Sequence, residues 1–374
     1  MKLAYLANIR YPSSRAHAAQ ITHMCQAFAN AQIDVTLFVN KCEDVDSDSV
    51  QKVFGIDPKF TIQQLSPTFF FNPGKIGFFI RELLFVWSFY RTYKKHSYDV
   101  LYCRNEFTLF FLSFLLPVQR MVYESHEANY NRAVRHLIAK GVPVIVISQG
   151  IYDFYVEQGV PAQQLLIADD GIDESFFDTT PSKATMRNRL GLDQNAFIVM
   201  YIGGFADWKG VDTFFAAAGH STGMTYVAIG GLVEEIEVKR EKYSTVTFLG
   251  SLPYKDLRNN QQAADVLVIP NTAKTPLSSL YTSPLKLFAH MTSGVPIIAS
   301  DIASLTSVLF EQDATLVQPD DAAALAAGVR SVQQAYESKV TAARLLRERS
   351  RSFTWTNRSA SILTFLQNYN EKNN

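Results

Sequence analysis

The segment KLAYLANIRYPSSRAHAAQITHMCQAFANAQIDVTLFVN, residues 2–40, decides the fold class of this chain. It holds a short apolar run at 2–8, a stretch of helical composition at 16–30 and a second apolar run at 34–40. Both runs are continuously apolar rather than alternating, which is typical of parallel strands that are buried on both faces. A helix between two such strands predicts one βαβ unit of an open α/β sheet.

The same plan repeats along the chain, with one break. Residues 167–192 (IADDGIDESFFDTTPSKATMRNRLGL) are rich in Asp, Ser, Thr and Gly and interrupt the alternation. We therefore predict two doubly wound domains, 1–170 and 171–352, followed by a helical tail at 353–374. Further predicted strands are YDVLYCRN (98–105), RMVYES (120–125), VPVIVIS (142–148), FIVMYIGG (197–204), MTYVAIGG (224–231), STVTFLG (244–250), ADVLVIP (264–270) and VPIIASD (295–301).

Composition and charge restrict the class of function. The chain has 374 residues, 47% of them hydrophobic, and 35 basic residues balance 35 acidic ones. Zero net charge gives no reason to expect a nucleic acid as partner. Three widely spaced cysteines (Cys25, Cys42 and Cys103) argue against a disulfide framework or a zinc cluster and fit a reducing cytosol. No secretory signal or run of transmembrane length is recognisable, so we expect a soluble cytoplasmic protein, peripheral to a membrane at most.

Several motifs, taken in order, resemble the family-4 glycosyltransferases of the GT-B fold over essentially the whole chain. The resemblance implies two Rossmann-like domains facing across a cleft, with a nucleotide-sugar donor on the C-terminal domain and acceptor binding on the N-terminal domain. It implies transfer with retention at the anomeric carbon, and a C-terminal helix that joins the N-terminal domain with Trp355 in the usual place. The segments that carry it are RYPSSRAHAAQITHMCQAFANAQIDVTLFVN (10–40), VYESHE (122–127), IADDGIDESFF (167–177), YIGGFADWKGVDTFFAAA (201–218) and SPLKLFAHMTSGVPIIASD (283–301).

The resemblance places the donor diphosphate against two segments of the C-terminal domain. Lys209 matches the family lysine that contacts the donor phosphate, although a surface lysine before a helix is the plainer alternative. Gly203 and Gly204 belong to the same loop, and Gly204 stands where the family usually has Arg. A capped helix start offers free N–H groups to an anion, and Lys286 could add a charge. The residues of that helix start are Ser283 as N-cap, Pro284 and Leu285.

The rest of the donor site is less complete. Leu252 lies in LGSLPYKDL (249–257), which matches a segment whose backbone reads the base. Backbone recognition leaves little trace in side chains, so these residues do not distinguish uridine from guanosine. Our expectation for the donor is a UDP-sugar rather than a GDP-sugar. Two family glutamates, the second of which holds the ribose hydroxyls, are replaced here by Tyr281 and Ala289.

The N-terminal domain offers a histidine and a basic loop. His126 follows a predicted strand and, by resemblance, contacts the donor sugar, whereas a lone histidine is more often structural. Strand alternation would turn Glu124 to the same side as His126 and Glu127 to the other. Arg15 and His17 precede or open the first helix, where they could bind a phosphate or an acidic acceptor or could simply be a solvated loop.

Other signals count for less. EDVDSDS (43–49) contains D-x-D but lacks the rest of a calcium loop, and the paired glycines do not form G-x-G-x-x-G, so we expect no metal, cofactor or nicotinamide. FTLFFLSFLLP (107–117) is expected to be a core helix. KIGFFIRELLFVWSFYRTYKKH (75–96) is apolar nearly all round, which favours a core helix, with membrane contact through its basic end as the minority alternative.

The sequence therefore predicts a metal-independent, retaining hexosyltransferase of polysaccharide or glycoconjugate biosynthesis, with a carbohydrate, lipid-linked or small-molecule acceptor. The replaced charged residues leave an alternative from another class, a non-catalytic GT-B relative that binds a nucleotide-sugar or a partner protein. A third reading, a sugar-nucleotide epimerase of the same fold, fits the KG (209–210) and SPLK (283–286) segments less well.

Overall fold

A computed structural model describes residues 1–13, 15–41, 45–65 and 74–373. Its internal contacts divide the chain into two compact units. Unit 1 comprises Met1–Asp169 and Trp355–Asn374, and unit 2 comprises Asp170–Thr354. Each unit is built on a parallel sheet with helical crossovers, which confirms the predicted α/β class with two Rossmann-like domains. Cys42 lies outside the described residues, and Cys25 and Cys103 are buried free thiols.

The sheet of unit 1 has seven parallel strands in the order β3-β2-β1-β4-β5-β6-β7. The order reverses direction between β1 and β4, which makes that pair the switch point where open α/β sheets bind ligands. The central strands are buried throughout because helices cover both faces. The strands are β1 (Lys2–Ala7), β2 (Asp34–Asn40), β3 (Thr61–Leu65), β4 (Val100–Cys103), β5 (Met121–Ser125), β6 (Val144–Val146) and β7 (Leu165–Ile167).

The helices of unit 1 begin where the sequence supplies caps. Asn105 and Asn131 each accept hydrogen bonds from two backbone N–H groups of the helix that follows, and Gly55 ends α2 with a left-handed φ of 75°. The first helix has the bounds that the sequence predicts. The helices are α1 (Ala16–Asn30), α2 (Ser47–Phe54), α3 (Lys75–Tyr93), α4 (Glu106–Leu112), α5 (Arg132–Ala139) and α6 (Gln149–Glu157).

The sheet of unit 2 has six parallel strands in the order β10-β9-β8-β11-β12-β13, with its switch point between β8 and β11. Two apolar layers flank the sheet, one around Phe214 and Phe215 and the other around Leu287 and Phe288. The strands are β8 (Phe197–Ile202), β9 (Met224–Ile229), β10 (Val246–Gly250), β11 (Val266–Ile269), β12 (Ile297–Ser300) and β13 (Thr315–Val317).

The helices of unit 2 cover this sheet and vary widely in length. Those that follow β8 and β11 start at the switch point, the edge where open α/β sheets bind ligands. The helices are α7 (Lys183–Leu190), α8 (Val211–Ala218), α9 (Val233–Lys242), α10 (Leu257–Asn260), α11 (Leu285–Met291), α12 (Ala303–Thr306), α13 (Ala322–Gln334) and α14 (Tyr336–Arg349).

The last helix, α15 (Trp355–Asn373), belongs to unit 1 and packs on α1. The Trp355 ring is 2% exposed and stacks on the His23 ring with centroids 5.7 Å apart. Arg358, one turn further along, is buried and donates from Nε to the carbonyl oxygens of Ala168 and Asp169 at 3.2 and 3.0 Å. These contacts tie the end of the chain to the carboxyl side of β7.

Burial of two apolar segments differs from the sequence prediction. Along α3, the side chains of Ile76 and Trp87 are 79% and 58% exposed, and beyond α4 the side chain of Phe114 is 64% exposed. The interpretation of both segments as core helices is therefore wrong for their outer faces. An apolar run shows no polar face to indicate exposure, so its outward side cannot be recognised from composition. No described helix is long and apolar enough to cross a membrane.

Candidate functional site

In unit 2, the switch point brings two predicted lysines to one edge of the sheet. Lys209 lies in a short 3-10 turn, Asp207–Lys209, shortly after β8, and Lys286 lies in the first turn of α11, after β11. Since β8 and β11 are neighbouring parallel strands, both loops leave the same end of the sheet. The residues that the resemblance assigned to one phosphate site thus come together in the fold.

Lys286 has a buried amino group with no counter-charge among the described residues. Its Nζ is inaccessible to solvent and has no hydrogen-bond partner among the described residues. The ammonium lies 4.8 Å from the centroid of the Tyr201 ring, a cation–π contact that offsets only part of the lost hydration. Burial, and then the charge of Lys209, hold the pKa of Lys286 well below its usual range. Such a group is stabilised by any anion that reaches it.

Lys209 is the second cation of this site. Burial lowers its pKa, and the carboxylate of Glu235 acts in the opposite direction. Its Nζ lies 5.4 Å from the centroid of the Trp208 ring and 3.2 Å from the position that a Cβ atom would take at residue 204. The absence of a side chain at Gly204 therefore leaves space for the ammonium group of Lys209. In the family that the sequence resembles, an arginine side chain usually starts at this position.

The glycine loop after β8 is fixed by close backbone contact with the loop after β9. The Gly203 N–H donates to the carbonyl oxygen of Ile229 at 2.9 Å, and a Cβ at Gly230 would lie 2.0 Å from the carbonyl oxygen of Gly203. Gly203 has a φ of 154° and Gly230 a φ of 122°, so both positions favour glycine. The Tyr201 hydroxyl donates to the Gly204 carbonyl at 2.7 Å, which sets the loop beside Lys286.

The predicted cap of α11 is wrong. The helix begins at Leu285 with Pro284 in the N-cap position, and it has no side-chain cap. Ser283 Oγ instead accepts a hydrogen bond from the Asp170 N–H at 3.2 Å. The free N–H groups of this seven-residue helix make a weaker case for anion binding than the two lysines.

The ribose end of the predicted site contains no carboxylate at position 289. Ala289 is fully buried within an apolar cluster that includes Leu287, Phe288 and Met291. Tyr281 is half-buried at the end of a π-turn, Leu277–Tyr281.

His290, which follows Ala289 in α11, is buried and was not among the predicted site residues. Its Nδ1 lies 3.2 Å from Gln261 Oε1, while Nε2 has no partner among the described residues. Burial and the Lys286 charge lower the pKa of His290 to about 3, so the imidazole is neutral.

Leu252 follows β10, and its half-buried side chain packs on the apolar layer that contains Met200 and Ile229. The Leu252 side chain is thus used for packing, which leaves the backbone of this residue for a ligand. Whether that backbone reads a base stays a prediction.

In unit 1, Glu124 is the centre of a buried polar network at the end of β5. The carboxylate is fully buried and accepts from Gln20 Nε2 at 2.7 Å and from the Tyr102 hydroxyl. It also forms an ion pair with Arg358 at 3.2 Å. Although burial opposes ionisation, the charge of Arg358 and the bond from His126 hold the pKa of Glu124 well below its usual range. Glu124 is therefore an anion. The sequence did not indicate that this carboxylate would be the centre of a buried network.

His126 is oriented by this carboxylate, which lies on the same side of the strand, as alternation predicted. Its Nε2 lies 2.5 Å from Glu124 Oε1, and its side chain is 17% exposed. Burial, and then the charge of Arg104, lower the pKa of His126 to about 4, so the ring is neutral at pH 7. Since a carboxylate only accepts, Nε2 carries the proton and Nδ1 is left as an acceptor. The neutral ring can accept a hydrogen bond from a hydroxyl group.

Arg15 and His17 lie near the same network. Arg15 occupies the N-cap position of α1 without a side-chain cap bond, and it is exposed. Arg104, directly after β4, donates to the His17 carbonyl at 3.3 Å and to Gln20 Oε1 at 2.9 Å. Burial, then Arg104 and Arg15, lower the pKa of His17. A basic edge thus lies at the switch point of unit 1.

Sequence reasoning missed Arg104, Gln20 and Arg358. Arg104 could have been found, because it lies at the carboxyl end of the predicted strand 98–105. Arg358 lies 234 residues from Glu124, and nothing local to it indicates the ion pair. A groove of about 500 Å³ in unit 2, lined by Lys183, Tyr336 and Arg344 among others, contains none of the predicted site residues.

Part of the chain matches a known protein family. Residues 196–334, which include Lys209 and Lys286, match the family described as glycosyl transferases group 1. No curated protein sequence is significantly similar to the chain.

Solved structures similar to this chain share its GT-B fold. Sucrose-phosphate synthase from Thermosynechococcus elongatus superposes with a TM-score of 0.77 at 20% identity, over 98% of both chains. HepE from Anabaena, solved in complex with UDP-glucose, gives 0.73 at 18% identity, over 100% of this chain and 99% of its own. WaaG, a glycosyltransferase involved in lipopolysaccharide biosynthesis, gives 0.70 at 15% identity, over 97% and 99%. At these identities the likeness shows the fold and no more.

Proposed function

We propose that this protein is a glycosyltransferase that moves a hexose from a nucleotide-sugar donor to an acceptor, with retention of anomeric configuration. The acceptor is a carbohydrate, a lipid-linked sugar or a small molecule in polysaccharide or glycoconjugate biosynthesis. A cytoplasmic location with peripheral contact at the inner face of a membrane remains a prediction. The support comes from the family match of residues 196–334 and from the geometry of the lysine site.

The observation that carries the proposal is the buried amino group of Lys286, which has no partner in the part of the chain that the structure describes. A buried charge without a partner costs several kcal/mol in principle, so a protein that keeps one has a use for it. Lys209 lies close enough to lower the pKa of Lys286, and the two together suit a doubly charged diphosphate. A diphosphate released from a nucleotide-sugar is such an anion.

The chemistry asked of these lysines is stabilisation of the leaving group. As the bond between the anomeric carbon and the diphosphate oxygen breaks, negative charge grows on that oxygen. Two preorganised ammonium groups, shielded from water, stabilise this charge more than the ground state, which lowers the barrier. In this proposal Gly203 and Gly204 let the diphosphate approach the backbone, and protein cations perform the neutralisation.

We assign the positioning of a sugar hydroxyl to His126. Its neutral ring, held by Glu124 through Nε2, offers Nδ1 as an acceptor in a fixed direction. The basic edge formed by Arg15, His17 and Arg104 is assigned to a phosphate or an acidic group of the acceptor.

A UDP-sugar is the proposed donor. HepE, which shares the fold, was solved with UDP-glucose, and this makes UDP-glucose the first donor to try. Leu252, Tyr281, Ser283, Pro284 and Leu285 are proposed to line the donor site through their backbone.

A second candidate, a non-catalytic relative that binds a nucleotide-sugar or a partner protein, is favoured by one observation. Ala289 is sealed in an apolar cluster, so the position cannot offer an acceptor to ribose hydroxyls. Nucleotide binding without hydrolysis or transfer, over a panel of donors and acceptors, would support this candidate.

The test of the main proposal is binding and slow hydrolysis of UDP-glucose by the purified protein. We expect UDP-glucose to raise the melting temperature, because it binds the folded state alone. Lys209→Ala should abolish that shift and any hydrolysis, while Lys242→Ala, an exposed lysine at the far end of α9, should leave both unchanged. Unchanged hydrolysis in Lys209→Ala would overturn the role of this lysine.

A further inference from the structure

The outer face of α3 is an exposed apolar stripe. Ile76, Leu83 and Trp87 are 79%, 48% and 58% exposed, and they follow one another at intervals of seven and four residues. At 3.6 residues per turn these positions lie nearly in line along the helix. Phe79 and Leu84, 38% and 37% exposed, widen the stripe on either side.

The orientation of this stripe is fixed by a buried carboxylate on the opposite side of the helix. Glu82 is 2% exposed and accepts from Asn8 Nδ2 at 2.5 Å, Asn105 Nδ2 at 3.2 Å and Thr108 Oγ1 at 2.7 Å. Asn8 and Asn105 follow β1 and β4, so these bonds tie α3 to the carboxyl edge of the sheet. Turning the stripe inward would break all of them, and its exposure is therefore a stable feature.

The apolar surface continues onto the neighbouring helix. The connections β3–α3–β4, β4–α4–β5 and β5–α5–β6 all move in one direction across the sheet, so right-handed crossovers place α3, α4 and α5 on one face. In the described structure α4 contacts both α3 and α5. Phe114 and Leu115, just beyond α4, are 64% and 43% exposed and extend the stripe.

Basic side chains border this apolar surface. Exposed Arg91, Lys94 and Lys95 lie at the C-terminal end of α3 or just after it, and exposed Arg132 and Arg135 lie on α5. Glu106, at the start of α4, is half-buried and accepts from Asn129 and Asn131, both at 2.9 Å. In a chain of zero net charge, the described part of α3–α5 thus pairs exposed apolar groups with exposed cations.

We propose that this α3–α4–α5 surface binds peripherally to a lipid bilayer with anionic headgroups. Trp87, Leu83 and Ile76 lie at the level of the headgroups and upper acyl chains, and the basic side chains contact lipid phosphates. Complementary charge selects an anionic bilayer over a second copy of this chain, which would bring like charges together. The surface belongs to unit 1, and the proposal does not depend on glycosyl transfer.

The experiment is co-sedimentation of the full-length protein with vesicles of phosphatidylglycerol and phosphatidylcholine, compared with vesicles of phosphatidylcholine alone. We expect pelleting with the anionic vesicles that weakens as salt is raised. The variant Ile76→Ser, Leu83→Ser, Trp87→Ser should reduce pelleting at least about tenfold, by loss of buried apolar area. The matched control is Leu232→Ser, Val233→Ser, Val238→Ser, whose side chains are 66%, 68% and 65% exposed in unit 2. It should pellet like the unchanged protein.

Two further variants distinguish loss of membrane binding from a folding defect, and sedimentation velocity distinguishes it from self-association. Arg91→Glu, Lys94→Glu, Lys95→Glu leaves the apolar stripe intact and should lose the preference for anionic vesicles. Trp87→Phe should still pellet but lose the blue shift of tryptophan fluorescence on vesicle addition. Pelleting unaffected by both triple variants would overturn the proposal. Absence of vesicle binding would also overturn it. A dimer detected by sedimentation velocity that is lost in the serine variant would then assign the surface to self-association.

Discussion

Lys209 and Lys286 lie at the carboxyl edge of neighbouring strands, and the charge of Lys209 contributes to the lowered pKa of Lys286. Like charges held together in a buried place destabilise the free protein and favour a bound anion. The protonation of these two lysines should therefore affect both the free energy of unfolding of the protein and its affinity for the donor.

Lys286→Met should make the free protein more stable and the donor bind less well. The substitution removes a buried amino group whose charged form is strongly disfavoured but keeps an unbranched side chain against the Tyr201 ring. The free energy of unfolding should therefore rise by on the order of 1 kcal/mol. UDP-glucose affinity should fall about tenfold or more, ~1.4 kcal/mol. Urea unfolding and calorimetric titration measure the two effects, with Lys242→Met as control. A variant that is less stable and binds UDP-glucose normally would contradict the assignment.

Donor binding should be accompanied by proton uptake. Lys286 has a lowered pKa in the free protein, and a bound diphosphate raises it, so affinity falls as pH rises between the two pKa values. Lys209 acts in the same sense, and His290, with its pKa of about 3, stays neutral throughout this window. Calorimetric titration of UDP in buffers of different ionisation enthalpy measures the proton count. Equal heats in all buffers would show that neither lysine changes its protonation.

Stability of the protein should fall as pH is lowered from 6.5 toward 4, in part because of His126. Between these values the unfolded imidazole binds a proton and the folded one does not, so folding loses at most about 3 kcal/mol there. Glu124 adds to this from about pH 4.5 downward, because the unfolded carboxyl then binds a proton while the folded one, with its depressed pKa, stays ionised. Unfolding of His126→Gln should depend less on pH over this interval. An unchanged slope would mean that His126 is exposed to solvent in the folded state.

Ala289→Glu should not restore a ribose contact. The side chain would enter the apolar cluster around Leu287 and Met291, and overpacking with a polar group should cost about 1–3 kcal/mol of stability. Ala289→Gln, of the same size without the charge, is the matched control. A gain in UDP-glucose affinity with Glu but not with Gln would show that the carboxylate reaches the ligand.

Much of the fold could be predicted because its central strands are buried on both faces. The apolar runs that become β1, β2, β8, β9 and β11 need no tertiary information to be recognised. Strand β3 (TIQQL) was missed because it is an edge strand, half-exposed and polar in the middle. Strands β7 and β13 were missed because they are edge strands of only three residues, too short to give a pattern.

The candidate site divides in the same way. Lys209, Lys286 and His126 could be named from the sequence because the family resemblance points to these positions, and His126 also follows a predicted strand. Ser283 was assigned a cap because local spacing favours it, and a distant N–H group, that of Asp170, occupies it instead.

The sequence by itself determined two parallel-sheet domains, because apolar runs and the order of strands and helices can be recognised from neighbouring residues. Only the tertiary structure decided that Glu124 pairs with Arg358, that Lys286 has no counter-charge among the described residues and that α3 exposes Trp87. Each of these depends on segments far apart along the chain. Burial sets the free energy of a charge, and burial is known only when the chain is folded.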